Sequence, residues 1–210
     1  MKNIKHIRTD YQKSELKQDD LSKNPISFFK NWMDEAVQLS ADANAFVLST
    51  VDSNGIPSSR VLLLRDVSQS GFSFFTNYAS RKAQEISDNN NVCMNFFWPE
   101  MERQIRVNGT ITKLSEIESD DYFNSRPYES RIGAWSSPQS KVIDSREILE
   151  NNVKTLKKKY PSQVPRPENW GGYLIQPHQI EFWQGRASRL HDRFLYTLEN
   201  DNWKIERLAP

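Results

Sequence analysis

Cysteine is almost missing from this chain. Cys93 is the single one in 210 residues. One thiol excludes an internal disulfide, and its place in the apolar run VCMNFFW reads as a buried, inert side chain. Long hydrophobic runs are missing too. No stretch approaches the roughly eighteen apolar residues of a membrane span. The N-terminus MKNIKHIRTDYQKSEL has no apolar core, so no signal peptide is read there and the cytoplasm is the expected compartment. His6, His178 and His191 lie far apart, and neither CxxC nor HExxH occurs, so no metal site is expected. No GxGxxG follows a strand, and neither GxxxxGK[ST] nor GxSxG is present, which leaves a Rossmann site, a P-loop and a serine-hydrolase elbow unsupported. Charge of one sign is not in excess. Lys and Arg number 28 against 27 Asp and Glu. A general polyanion binder would be more basic, so any anion site must be local and nucleic acid is not an expected partner.

What is present is mostly β-type sequence. Residues 1–24 are polar and mixed in charge and read as a flexible N-terminal arm; residues 25–210 read as one domain. Asn24 and Pro25 suit a helix start, and Ile26, Phe29, Trp32, Met33, Ala36 and Val37 follow with helical spacing. AFVLSTV, SSRVLLLRDV, GFSFFTN, NVCMNFFW and RQIRVNGTITKL read as strands, with a short helix at SRKAQEISDN capped by Ser80. In the fifth strand Ile105 and Val107 point one way, and Gln104, Arg106 and Asn108 the other. SEIESDDYFNSR reads as a helix ending before Pro127, and SREILENNVKTLKKKY as a charged amphipathic one. GGYLI, QIEFWQ, RFLYTL and WKIERL complete roughly eight or nine strands. Short links favour antiparallel pairing. The expected fold class is mainly β with peripheral helices, a closed or split β-barrel.

The candidate chemistry lies in arginines, aromatics and amides. Such residues suit holding a phosphorylated aromatic cofactor that does the chemistry itself. Arg60 and Arg65 bracket four apolar residues in RVLLLR; they are either solvated strand ends or the lining of a pocket. Arg81 and Lys82 fall in the first turn of a helix, against the dipole preference for acids there. An anion would resolve that conflict, or both side chains reach water. Tyr122, Arg126 and Ser130 are spaced by four and offer three donors to a phosphate. Pro127 interrupts them, so they converge from a helix end and its loop. Gln139 and Ser140 add uncharged donors. In FWQGRASRLHDRF, Arg186, Arg189, His191 and Arg193 follow Trp183 within a strand setting, a match for a flat ring with polar heteroatoms.

The ordered set RVLLLR, FFTN, SRKA, ERQIRV, YFNSRP, IGAW, NWGGY, EFWQG, RLHDR and ERLAP resembles the pyridoxine (pyridoxamine) 5′-phosphate oxidase family from about Ile7 to Pro210. The resemblance implies the FMN-binding split β-barrel and a homodimer with FMN at the interface. It implies oxidation of pyridoxine 5′-phosphate or pyridoxamine 5′-phosphate to pyridoxal 5′-phosphate. Dioxygen would be the electron acceptor and hydrogen peroxide its product, with ammonia released from the amine. It places cofactor contacts at Arg60, Val61, Leu62, Leu63, Leu64, Arg65, Phe75, Thr76, Arg81, Lys82, Gln104, Gln139, Ser140, Trp183 and Arg193. It places substrate-phosphate contacts at Arg65, Tyr122, Arg126 and Ser130, and ring contacts at Arg189, Leu190 and His191. The arm, through Arg8 and Tyr11, would close over the substrate. Arg189 and His191 are the expected catalytic pair, Arg189 in an orienting role because arginine is a poor base. The family commonly has lysine where this chain has Arg65, and position 75, here Phe, can be Tyr in relatives. Other readings are a reductase on the same barrel, a non-catalytic flavin or pyridoxal-phosphate carrier, and a nucleic-acid-binding barrel.

Overall fold

The computed structural model describes residues 4–6 and 9–210. After a docked arm, α1 (Pro25–Leu39) leads into β1 (Ala45–Val51), β2 (Pro57–Leu63), β3 (Asp66–Ser68) and β4 (Gly71–Asn77). Next come α2 (Arg81–Asp88), β5 (Asn91–Trp98) and β6 (Arg103–Lys113). Three helices follow, α3 (Glu116–Ser125), α4 (Tyr128–Ser136) and α5 (Arg146–Lys159), and then β7 (Trp170–Gln184), β8 (Asp192–Glu199) and β9 (Asn202–Arg207). The strands form one antiparallel sheet in the order β2-β1-β5-β6-β7-β4-β3, with β8 on β7 and β9 on β8.

The two ends of that path, β2 and β3, are consecutive in the chain. The sheet must therefore curl until its edges meet at Leu64–Arg65. The step is visible in the backbone: the Leu64 N–H donates to Asn44 O beside β1, and the Arg65 N–H donates to Ser73 O on β4. The single strand read over SSRVLLLRDV is thus two, broken at this seam, with Leu64 buried and Arg65 exposed. Local alternation cannot reveal a switch of pairing partner. Conversely, GGYLI and QIEFWQ are one fifteen-residue strand, β7, which pairs with β6 along its length while β4 and β8 share its other edge. Pro177 and the irregularity at Asn108/Gly109 interrupt the pattern without ending the strand.

The barrel core is aromatic. Phe29 of α1 is fully buried, its ring 4.9 Å from Phe72 and 5.2 Å from Phe96. Truncating such a ring costs about 3–5 kcal/mol. α1 is capped as expected: Asn24 Oδ1 accepts from the Ile26 and Ser27 N–H groups. Its buried stripe is shifted, since Phe28 is buried while Val37 is half exposed. Cys93 is only partly buried, and that burial raises its thiol pKa. Segment 128–136, expected as loop, is helical, because Pro127 ends α3 and then serves as the N-cap of α4. With α5, these helices build a second, smaller core around Phe123, Ile132, Val164 and Trp170. No described helix is long and apolar enough to cross a membrane.

Candidate functional site

Two adjoining clefts of about 390 Å³ each open where the second core meets the barrel seam. They share Leu62 and Gln139. The first is lined by Arg65, Phe75, Thr76, Tyr122, Arg126, Ser130 and Trp170. Tyr122 comes from the last turn of α3, Arg126 from its C-cap and Ser130 from the first turn of α4, so the proline break brings the three together. Phe75 and Tyr122 stack at 3.8 Å, and Trp170 lies nearly parallel to Phe75 at 5.6 Å. β7 can press this close because Gly172 has no side chain; a Cβ there would sit 2.7 Å from Phe75 Cε1. The Arg126 guanidinium stands 4.6 Å from the Trp170 ring centroid, and its Nη1 is buried with no hydrogen-bond partner among the described residues. Burial, and the charge of Arg65, hold its pKa below the ordinary arginine value. A buried, unpaired guanidinium nitrogen is costly unless a ligand supplies the acceptor.

The second cleft is lined by Ser58, Ser59, Arg60, Val61, Leu62, Arg81, Lys82, Gln139 and Ser140. Arg60 and Leu62 share the inward face of β2, while Val61 and Leu63 face out. Leu64 turns into the core. Lys82 does not reach water: it is 7% exposed, with Nζ donating to Ser80 Oγ at 3.1 Å, Thr76 Oγ1 at 3.2 Å and Gln139 Oε1 at 3.4 Å. Burial first, and then the Arg60 charge, lower its pKa to about 8. Ser80 does not cap α2 through its side chain; its hydroxyl donates to Asn77 O instead. Arg81 is largely exposed and pairs with Glu85, a buried carboxylate to which Arg60 also donates.

A third group lies elsewhere. Gln104, Trp183 and Arg193 are direct partners across β6, β7 and β8 and form one row on the sheet's outer face, beside the buried row Ile105, Phe182 and Phe194. Arg193 Nε donates to the buried Glu181, whose other oxygen takes Arg106. Arg186 pairs with Asp192 and Glu15, whereas Arg189 has no side-chain partner among the described residues. Ser188 and Arg189 both have left-handed backbone, φ 56° and 63°, an uncommon state for two consecutive non-glycine residues. Leu190 is exposed. The Arg186 N–H donates to His191 Nδ1 at 3.1 Å. The neutral ring therefore carries its proton on Nε2 and presents it as a donor. Burial, then Arg189 and Arg193, push His191 below its usual pKa, which favours that neutral form. Tyr11 of the arm packs against Trp183 at 5.7 Å and His191 at 5.9 Å. Gly185 makes room for it, since a Cβ there would meet the ring at 2.7 Å. Arg8 lies outside the described residues.

Trp170 walls the first cleft and Trp183 belongs to the third group, at opposite ends of β7. Thirteen residue steps of strand separate them, roughly 40 Å of extended chain. Neither cleft's lining includes a residue of the third group. The motif reading missed Trp170, Glu85 and Glu181. A stripe at Phe75, Tyr122 and Trp170 crosses three elements, and a buried acid in a cationic cleft has no local pattern.

A family model described as pyridoxamine 5′-phosphate oxidase matches residues 33–160. A second, described as the pyridoxine 5′-phosphate oxidase C-terminal dimerisation region, matches residues 170–210. The chain belongs to the pyridoxine/pyridoxamine 5′-phosphate oxidase family. A family member of that name from Actinobacillus succinogenes is 50% identical over 97% of this chain and 98% of its own. Another, from Neisseria gonorrhoeae, is 49% identical over 99% and 100%. Among solved structures, PhzG from Burkholderia lata, in complex with tetrahydrophenazine-1-carboxylic acid, aligns with a TM-score of 0.87 at 31% identity, covering 91% of this chain and 95% of that one. A pyridoxamine 5′-phosphate oxidase-related, FMN-binding protein from Nostoc punctiforme shares the fold, with a TM-score of 0.72 at 21% identity over 90% and 100%. The family's dimerisation region thus coincides with the segment holding Trp183, Arg189, His191 and Arg193.

Proposed function

We propose that this protein is an FMN-dependent oxidase that converts pyridoxine 5′-phosphate or pyridoxamine 5′-phosphate to pyridoxal 5′-phosphate, acting as a homodimer. The observation that carries the reading is the buried, unpartnered Arg126 Nη1 in an aromatic-walled cleft that adjoins a second, cationic cleft. Two anion places joined by flat walls fit two phosphates with two rings between them. The second cleft, with Arg60, Arg81, Lys82, Gln139 and Ser140, would take the cofactor phosphate. Arg65, Tyr122, Arg126 and Ser130 would take the substrate phosphate. The separation of the third group along β7 supports completion of the site by the partner, whose Gln104, Trp183 and Arg193 row would face the cofactor. Exposed Val61, 66% accessible, and Phe97, 50%, are apolar surface beside the two half-sites and suit burial between protomers.

Bound FMN supplies the hydride acceptor that none of these side chains can provide. The chain's own part is orientation. Arg189, free of acidic partners and held on strained backbone, would lie over the reacting carbon's substituent. His191 would donate its Nε2 proton to a polar atom of the pyridine. Tyr11 would shield both from water. The alcohol loses a hydride and a proton, and dioxygen leaves as hydrogen peroxide. The amine loses the same and takes up water to release ammonia. The test is the visible spectrum of the purified protein without oxygen. Bleaching of a flavin band on adding pyridoxine 5′-phosphate, restored by air, is expected. A flavin band that does not bleach would overturn the substrate assignment. A colourless protein that takes up no FMN would overturn the cofactor.

A further inference from the structure

Glu85 is an acid in the wrong place for an anion site. It is 3% exposed at the back of the second cleft. Its Oε1 accepts from Ser58 Oγ and Arg81 Nε, both at 2.8 Å. Its Oε2 accepts from Thr50 Oγ1 at 2.5 Å, Ser58 Oγ at 2.7 Å and Arg60 Nη2 at 3.0 Å. Burial alone would raise its pKa, but the hydrogen bonds from Thr50, Ser58 and Arg81 and the Arg60 charge outweigh it and hold the carboxyl at about 2. The group is therefore a fixed negative charge.

We propose that Glu85 is the positioning residue of the phosphate end of this site, aiming Arg60 and Arg81 and trimming the cluster's charge to that of a phosphate dianion. The proposal rests on the cofactor reading above. Arg60 is locked: Nη1 donates to Leu48 O and Thr50 Oγ1, and Nη2 to Ser58 Oγ and Glu85. Among the described residues Arg81 is tethered through Nε alone, which leaves its two terminal nitrogens available to a ligand while the side chain stays largely exposed. Lys82 makes no bond to Glu85, only to neutral oxygens. Three cations and one carboxylate leave two net positive charges. A phosphate monoester carries about −1.5 to −2 at pH 7. Without Glu85, Arg81 would lose the tether that pre-organises it, and ordering the freed side chain on a ligand would cost affinity.

Charge alone and positioning predict opposite signs. Removing an acid near a phosphate should tighten binding if repulsion dominates. It should weaken binding if Glu85 aims the arginines. A purely structural role, tying α2 to the β1–β2 hairpin, would harm all ligands alike. The experiment titrates the apoprotein with FMN and with riboflavin, which lacks the phosphate, following quenching of flavin fluorescence. For Glu85→Gln, FMN affinity is expected to fall roughly tenfold to hundredfold, the effect of a charge-assisted bond. Riboflavin affinity should be unchanged. FMN and riboflavin weakening together, or FMN binding more tightly, overturns the proposal. A wild-type protein that binds both flavins equally overturns the phosphate reading of the cleft itself. If Glu85→Gln does not fold, Thr50→Val carries the same ratio test. It removes a hydroxyl outside the cleft lining that donates to Glu85 and accepts from Arg60 Nη1, so it loosens the same carboxylate–arginine frame, and a selective loss for FMN is again expected.

Discussion

FMN affinity should fall as pH rises above 8, and Lys82 should be the cause. In the free protein this ammonium is buried among Thr76, Ser80 and Gln139, with Arg60 pressing from β2 and Glu85 opposing from its own helix, and its pKa is lowered to about 8. A phosphate at contact favours the charged form, so binding above that pH must take up a proton. The sign follows: the Lys82 contribution is complete below pH 8 and is lost as pH climbs through it. Each further unit costs about 1.36 kcal/mol, or tenfold in affinity. Between pH 7 and 9 the dissociation constant should rise roughly tenfold. Below about pH 6 the ligand's own phosphate protonates and affinity should decline again. The assay is fluorescence titration of the apoprotein across pH 6–9, with calorimetry in buffers of different ionisation heat to count protons. Lys82→Met should bind weakly at every pH and lose the alkaline slope. A wild-type affinity that is flat from pH 7 to 9, or the same slope in Lys82→Met, refutes the reasoning.

Arg126→Ala should raise KM for pyridoxine 5′-phosphate roughly tenfold to hundredfold, the loss of a charge-assisted phosphate contact, while FMN titrations stay at the wild-type value; an unchanged KM removes Arg126 from substrate binding. Arg189→Ala should cut turnover far more than it changes FMN affinity, and steady-state rates equal to wild type would take it out of the chemistry. Asn24→Ala removes the acceptor for two N–H groups of α1 and should cost the apoprotein about 1 kcal/mol, read as a fall in Tm of about 2–4 °C.

Elements whose cause is local were legible in the sequence. The alternation around Ile105 and Val107 names the core face of β6, and the Gln104 row follows from it. Asn24 and Pro25 start α1, and Pro127 ends α3, because capping and proline sterics act within a few residues. The spacing of Tyr122, Arg126 and Ser130 flagged the residues that line the first cleft, although the helix that carries Ser130 went unread. The resemblance carried most of the remaining assignments, residue by residue.

Local chemistry thus determined that this chain makes an antiparallel β domain with helices around it, and that its candidate anion sites draw on arginine and amide donors. Only the tertiary structure decided where those donors meet. The barrel closes at Leu64–Arg65 because β2 and β3 change partners there, a choice between two sheet edges that alternation cannot express. Glu85 comes within reach of Thr50, Ser58 and Arg60 only once α2 is docked on the hairpin, and no spacing in the chain relates them. Trp170 of the first cleft and Trp183 of the third group fall at opposite ends of β7, a fifteen-residue strand too long for one small ligand to span.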